Sequence, residues 1–302
     1  MKTIRLGRIA EEVSALSLGT WPMGGPNRVG DNDVGWSGHD DERALAALVR
    51  SWETGIRHWD TADVYGDGRS EALMGRAMET VPRDDLFLAT KVGWDPGSYD
   101  HVYHPALMRE RLERSLTNMG TDRVDLYYLH HCRFGPEDRY LAAAIETARS
   151  FVQEGKVRYI GLSDWDSGQV MRCIEAVDPD VVQVYRTVLD DGFVTSGLRD
   201  HVVANDLGSV FFSTLRHGAL LGKYDAPRTF AEGDFRNNVD VFRDPDALRH
   251  FARCRSAIGE RMGEGTSSVI AALVGSLLQD TPGSCAIVGL RDPGQVDTAA
   301  EA

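Results

Sequence analysis

The chain has 302 residues and a formal net charge of −13, a balance that argues against nucleic acid and anionic membrane as partners. Its four cysteines, Cys132, Cys173, Cys254 and Cys285, lie far apart with no C-x-x-C pair, which reads as reduced core or surface thiols in a cytoplasmic protein. The longest clean apolar stretch, VIAALVGSLL, has ten residues, too few to cross a bilayer, and no long apolar segment follows Met1-Lys2-Thr3, so a secretory signal is not expected.

Residues 3–12 predict a short hairpin, with Gly7 at the turn and Ile4, Leu6 and Ile9 alternating around it. SALSLG predicts the first of a series of strands. The long Gly-rich loop from Thr20 to His39 follows and carries Trp21 and Trp36. Ala44, Leu45, Leu48, Val49 and Trp52 recur at helical spacing between Asp41 and Thr54, with Gly55 as a stop. The stretch HWDTADVYGDGRSEALMG then reads strand, loop, helix.

Beyond it, LFLATK, VDLYYLH, VRYIGLS, VVQVY, VFFS and CAIVG are short apolar strand candidates. Helices are expected between them at Pro105–Gly120, Arg139–Gln153, Gly168–Ala176, around Leu198–Asn205, at Pro245–Arg261 and at Ser268–Gln279, with a last one starting near Pro293. Arg109, Glu110, Arg111, Glu113 and Arg114 read as the solvated face of the first of these. Apolar strands alternating with helices predict a parallel sheet covered on its outer face. Eight strand candidates predict a closed (β/α)8 barrel, an architecture that commonly takes ~250 residues as one domain. No Pro/Gly/Ser linker interrupts residues 1–302, so one domain is expected.

The polar residues that end these strands carry the chemistry. Asp60 closes one apolar run, Lys91 the next and His130 the one after, while Tyr65 sits in the loop behind Asp60. Barrel active sites form at the C-terminal ends of the strands. A tyrosine normally loses its proton near pH ~10, and a nearby lysine would lower that value and make it a usable acid. Asp60 is expected to hold Lys91, Lys91 to tune Tyr65, and His130 to orient a substrate carbonyl. His130-His131-Cys132 suggests no metal site, because adjacent strand residues point to opposite faces. Ser163, Gln183 and Ser213 keep the same phase on later strands.

The words DTADVYGDGRSEALMG, FLATKVGW, SLTNMGTDRVDLYYLHH, RYIGLSDW and VVQVYR occur in the order found in the aldo-keto reductase family, which the chain resembles over nearly its whole length. The resemblance implies a (β/α)8 TIM barrel with an N-terminal β-hairpin plugging its bottom and, here, a short C-terminal end. It implies that Asp60, Tyr65, Lys91 and His130 match the family's catalytic tetrad. It implies a nicotinamide cofactor, NADP(H) ahead of NAD(H), with the carboxamide held by Ser163, Asp164 and Gln183 and the ring stacked on Phe212.

FFSTLRHGALLGKY resembles the family's loop over the cofactor pyrophosphate, which nominates Ser213, Leu215, Arg216, Gly218 and Lys223. Gly289, Arg291 and Gln295 follow from the last strand, Arg291 as partner of a 2′-phosphate. The chain departs from the family at three places. Thr298-Ala299 stands where Glu-Asn commonly binds adenine, Asp164 replaces an Asn, and Arg186 replaces another Asn. Asp164 and Arg186 are expected to pair.

The resulting expectation is NADPH-dependent reduction of an aldehyde or ketone, with Tyr65 as the acid. Trp21, Trp36, Trp94 and Tyr99 would wall a sugar-like or aromatic substrate. The protein would act as a monomer or homo-oligomer. Two alternatives stay open: a cofactor-binding regulatory subunit, and an epimerase or lyase that oxidises its substrate transiently on a retained nicotinamide.

Overall fold

A computed structural model describes residues 1–302. Eight parallel strands close into a barrel: β1 (Leu16–Gly19), β2 (His58–Asp60), β3 (Phe87–Val92), β4 (Val124–Leu129), β5 (Val157–Asp164), β6 (Val181–Tyr185), β7 (Gly208–Phe212) and β8 (Ser284–Gly289). Each strand pairs with the next in sequence, and β8 returns to β1 through Ala286↔Leu16 and Gly289↔Gly19. The outer ring consists of α1 (Asp41–Glu53), α2 (Arg69–Ala77), α3 (Pro105–Met119), α4 (Leu141–Gln153), α5 (Ser167–Val177), α6 (Leu198–Ala204), α7 (Pro245–Met262), α8 (Thr266–Asp280) and α9 (Pro293–Ala300). The expected fold class is the observed one.

The two-residue period of a strand sorts the side chains. Odd positions of β3 and even positions of β4 face the barrel axis. Phe87, Ala89, Leu126 and Tyr128 therefore meet Val181, Val210 and Cys285 in the barrel interior. Leu88, Val92, Tyr127 and Leu129 face outward and join α1 to α6, α8 and α9 in the larger core between sheet and helices.

The N-terminal hairpin is present, but its turn differs from the expectation. Thr3–Arg5 pairs with Glu12–Ser14, and Gly7–Ile9 forms a 3-10 turn rather than a tight reversal. The turn drives Leu6 into the barrel floor beside Val181 and Val210. Gly7 sits at φ +51° against the backbone of Gly208, where a Cβ would lie 2.0 Å from a nitrogen.

Two further features escaped the sequence. The long loop after β1 contains a small hairpin, Arg28–Val29 with Asn32–Asp33. The chain from Ser213 to Asp244 folds through 3-10 turns over its own apolar cluster of Leu220, Tyr224, Val241 and Phe242. Backbone hydrogen bonds join these two loops, with Gly35 N donating to Gly233 O and Phe235 N to Gly35 O. On α3, Arg111 is buried against Asp95 at 2.7 Å and so is no part of a solvated face.

Candidate active site

The C-terminal ends of the strands open into a cavity of about 830 Å³, roofed by the two joined loops. Asp60, His130, Ser163, Gln183, Phe212 and Gly289 bring the strand-end chemistry to its floor. Lys91 lies just behind, fully buried, with its Nζ donating to Asp60 Oδ1 at 2.5 Å and to the carbonyl of Thr61 at 2.6 Å. The same Nζ reaches Tyr65 Oη at 3.4 Å. Gln183 Nε2 donates to the other oxygen of Asp60 at 2.8 Å. The rings of Tyr65 and His130 meet edge to face at 6.0 Å. Four residues distant in sequence thus form one constellation, because β2, β3 and β4 are neighbours whose interior-facing positions end at the same height.

Burial decides the electrostatics. It pushes Lys91 down and Asp60 up from their ordinary values, and their mutual contact opposes both shifts. Burial, with Lys91 and His131 adding to it, holds His130 well below the ordinary histidine value. At neutral pH this ring is a neutral imidazole with one N–H to donate. Tyr65 is pushed well above its ordinary value by burial and by the carboxylates of Asp60 and Asp63. This reverses the expectation that Lys91 lowers it: the ammonium is held on Asp60, which offsets its charge at the hydroxyl. Tyr65 is therefore a protonated hydroxyl beside a lysine whose charge is paired with Asp60.

A sequence model of the aldo/keto reductase family matches residues 15–302. The chain belongs to that family. The aldo-keto reductase YhdN of Bacillus subtilis is 30% identical, over 96% of this chain and 85% of its own length. The aldo-keto reductase yakc [NADP(+)] of Schizosaccharomyces pombe is 32% identical over 67% of this chain and 61% of its own. The NADH-specific methylglyoxal reductase of Escherichia coli is 28% identical over 82% and 77%. Like them, this chain is an oxidoreductase of the aldo-keto reductase type.

Most of the other nominated positions line this reductase's cavity: Ser213, Leu215, Gly218, Lys223, Arg291 and Gln295, together with Trp21 and Trp94. Trp36 joins them, edge-on to Trp21 at 5.5 Å. Four expectations are corrected. Asp164 faces away from the cavity, since it follows inward-facing Ser163 on the same strand. It accepts from the backbone N–H of Cys132 at 2.7 Å and of Asp166 at 2.9 Å. Arg186 does not pair with it. That guanidinium binds Asp280 and Thr281 and lies 4.6 Å from the ring of Phe193. Arg216 leaves the cofactor loop at φ +50°, bonds Tyr185 Oη and lines a separate, smaller cavity with Asp240 and Asp244. Tyr99 lies outside the cavity, packed on His104.

Sequence reading missed the second half of the aromatic wall. Trp165 stacks on Phe235 at 5.7 Å and meets Phe212 edge-on at 4.7 Å. His217 sits among Trp21, Trp36, Trp165 and Phe235. Trp165 was legible, since it shares its face with Ser163 two residues earlier. Phe235 and His217 were not, because only the packing of the long loop brings them here. His131 does not line the cavity: its ring meets Tyr103 edge-on at 5.2 Å, and its carbonyl accepts from Tyr103 Oη at 2.5 Å. No group of three His, Cys, Asp or Glu side chains is positioned to hold a metal ion.

Asp63, between Asp60 and Tyr65, is buried with Oδ1 unpartnered, and burial plus nearby Glu71 raise its carboxyl to about 7. The unfolded chain loses this proton near the ordinary value of 3.8, so between those values the folded state binds the extra proton. Stability at this site is present below the unfolded value and falls as pH rises towards 7. Asp63→Asn is expected to remove that loss. The stability difference between variant and parent should grow by roughly 2–3 kcal/mol from pH 5 to pH 8, measured by denaturant titration. Parallel pH profiles would show that Asp63 ionises freely.

Proposed function

We propose that this protein, working as one barrel domain, reduces a small aldehyde or ketone with NADPH, and that Tyr65 is the proton donor. The observation that carries the reading is the buried cluster of Asp60, Lys91, Tyr65 and His130 at the floor of an aromatic cavity. When bound, the reduced nicotinamide supplies the hydride. His130 donates a hydrogen bond to the carbonyl oxygen and fixes its direction. Tyr65 gives that oxygen its proton, and Lys91, 3.4 Å from the hydroxyl, stabilises the negative charge left behind. Asp60 holds the lysine in place. The aromatic walls exclude water from the reacting carbon.

The residues fit a phosphorylated dinucleotide. Lys223, exposed, and Arg291, partly buried, line the cavity without carboxylate partners; burial lowers both from their ordinary values, with Arg291 adding to the effect on Lys223 and Arg236 to that on Arg291. Arg291 instead donates to the carbonyl of Ser37 at 2.8 Å. An anion between them would relieve both. The relatives include one named for NADP(+) and one named NADH-specific; on this reading Arg291 carries the choice. Arg291→Ala is expected to weaken NADPH about ten-fold or more while changing NADH little, since a hydrogen bond to a charged group contributes ~1.5–3 kcal/mol. Fluorescence titration of both cofactors checks this, and equal losses would remove Arg291 from that role. The overall reading is tested by following NADPH and carbonyl together. Consumption at equal rates supports a reductase. Binding without turnover supports a regulatory subunit, and conversion without net NADPH loss supports an epimerase or lyase.

A further inference from the structure

The cavity holds one cationic side chain that the reductase mechanism does not use. Arg133 follows His130 in the loop after β4, lines the cavity and is exposed. Its guanidinium carbon lies over the ring of Trp94, 5.2 Å from the ring centre. Trp94 in turn meets His130 edge-on at 5.9 Å. The backbone N–H of Arg133 donates to His131 Nδ1, while the guanidinium itself has neither a carboxylate partner nor a hydrogen bond. That is unusual in this chain, where surface arginines are widely paired.

The carboxylates lining the same cavity are engaged elsewhere. Asp33 pairs with Arg28 at 3.3 Å, Asp60 with Lys91 at 2.5 Å, and Asp292 with Arg43 at 3.5 Å. None of them neutralises Arg133. The cations read as cofactor partners, Lys223 and Arg291, follow β7 and β8. In the closed order of eight strands, β4 and β8 lie opposite each other. Arg133 therefore stands across the cavity from the phosphate end, on the side of the catalytic histidine. A planar guanidinium fork that lies over an aromatic ring and has no hydrogen-bond partner of its own can take a carboxylate or a phosphate in two parallel hydrogen bonds.

We infer that Arg133 selects carbonyl substrates that carry an anionic group, a carboxylate or a phosphate, at the far end of a short spacer. The inference rests on the reductase reading of the same site. Tyr65 and His130 take the carbonyl, Trp94 packs along the spacer, and Arg133 binds the anion. The loop after β4 thus supplies both the group that orients the carbonyl and the group that recognises the other end of the molecule.

The test uses pairs of substrates of one shape and two charges, with NADPH and the full chain: 4-carboxybenzaldehyde against benzaldehyde, and glycolaldehyde phosphate against glycolaldehyde. The readout is the ratio of kcat/KM, anionic over neutral, in the parent, Arg133→Ala and Arg133→Lys. The parent should prefer the anionic member of at least one pair, and the pair that shows it names the anion. Arg133→Ala should lower that ratio roughly five- to ten-fold, as expected for a charged hydrogen bond at a partly exposed site. Arg133→Lys should recover part of it, since lysine keeps the charge without the fork. Added salt should shrink the preference in the parent and leave the Arg133→Ala ratio unchanged. Reduction of the neutral aldehydes with no anionic preference, or a ratio unmoved by Arg133→Ala, overturns the role of Arg133 while leaving the reductase reading in place. Failure of the parent to reduce any of the four overturns both.

Discussion

Tyr65→Phe is expected to lower kcat for carbonyl reduction by about 10²–10⁴ while leaving cofactor binding nearly intact. The substitution removes one oxygen and keeps the ring that stacks 5.7 Å from Trp21, so the cavity wall survives. What is lost is the O–H that burial, Asp60 and Asp63 keep protonated. The charge of Lys91 beside it then has no developing anion to stabilise. Single-turnover rates with saturating NADPH, read alongside cofactor titration, separate chemistry from binding. A variant that keeps more than half the parent's rate, with chemistry limiting, would show that the proton comes from elsewhere.

Lys91→Met is expected to lose both activity and about 3–5 kcal/mol of stability. The Lys91 side chain is fully buried and that of Asp60 3% exposed, so removing the ammonium leaves a buried carboxylate held only by Gln183. Burial already raises Asp60, and the missing lysine removes the contact that opposed the rise. The sign follows: with its folded value raised, Asp60 destabilises the variant increasingly as pH rises towards that value, and the deficit shrinks in acid, where the group is neutral. A second substitution, Asp60→Asn, should restore much of the stability but none of the rate, because the missing charge beside Tyr65 is not replaced. Thermal or denaturant unfolding at two pH values, paired with turnover, resolves the two effects. A single variant as stable as the parent at neutral pH would mean that Asp60 and Lys91 are not an ion pair in the folded protein.

The barrel and the floor of its site were legible before any coordinates. Asp60, Lys91 and His130 each end an apolar run, and a parallel barrel sets all such ends on one face. The two-residue period also told His130 from His131, and of the two only His130 lines the cavity. The same rule, applied to the strand that ends in Ser163 and Asp164, would have removed Asp164 from the cavity and added Trp165. That error came from following the resemblance in place of the period.

The ionisation of Tyr65 belongs to the tertiary structure. The sequence holds one lysine and several acids near it. Which charge prevails at the hydroxyl depends on distances of a few ångströms in a medium from which water is excluded. Here Lys91 lies 2.5 Å from Asp60 and 3.4 Å from Tyr65, and the carboxylate has the first claim on its charge. The loops fall in the same class. Arg216 and Arg186 leave their expected neighbours for Tyr185 and Asp280, while His217 and Phe235 enter the aromatic wall. Strand periodicity fixes direction because every residue's neighbour is set by the ladder. A loop has no such period, and its side chains take their partners from whatever the finished barrel brings within reach.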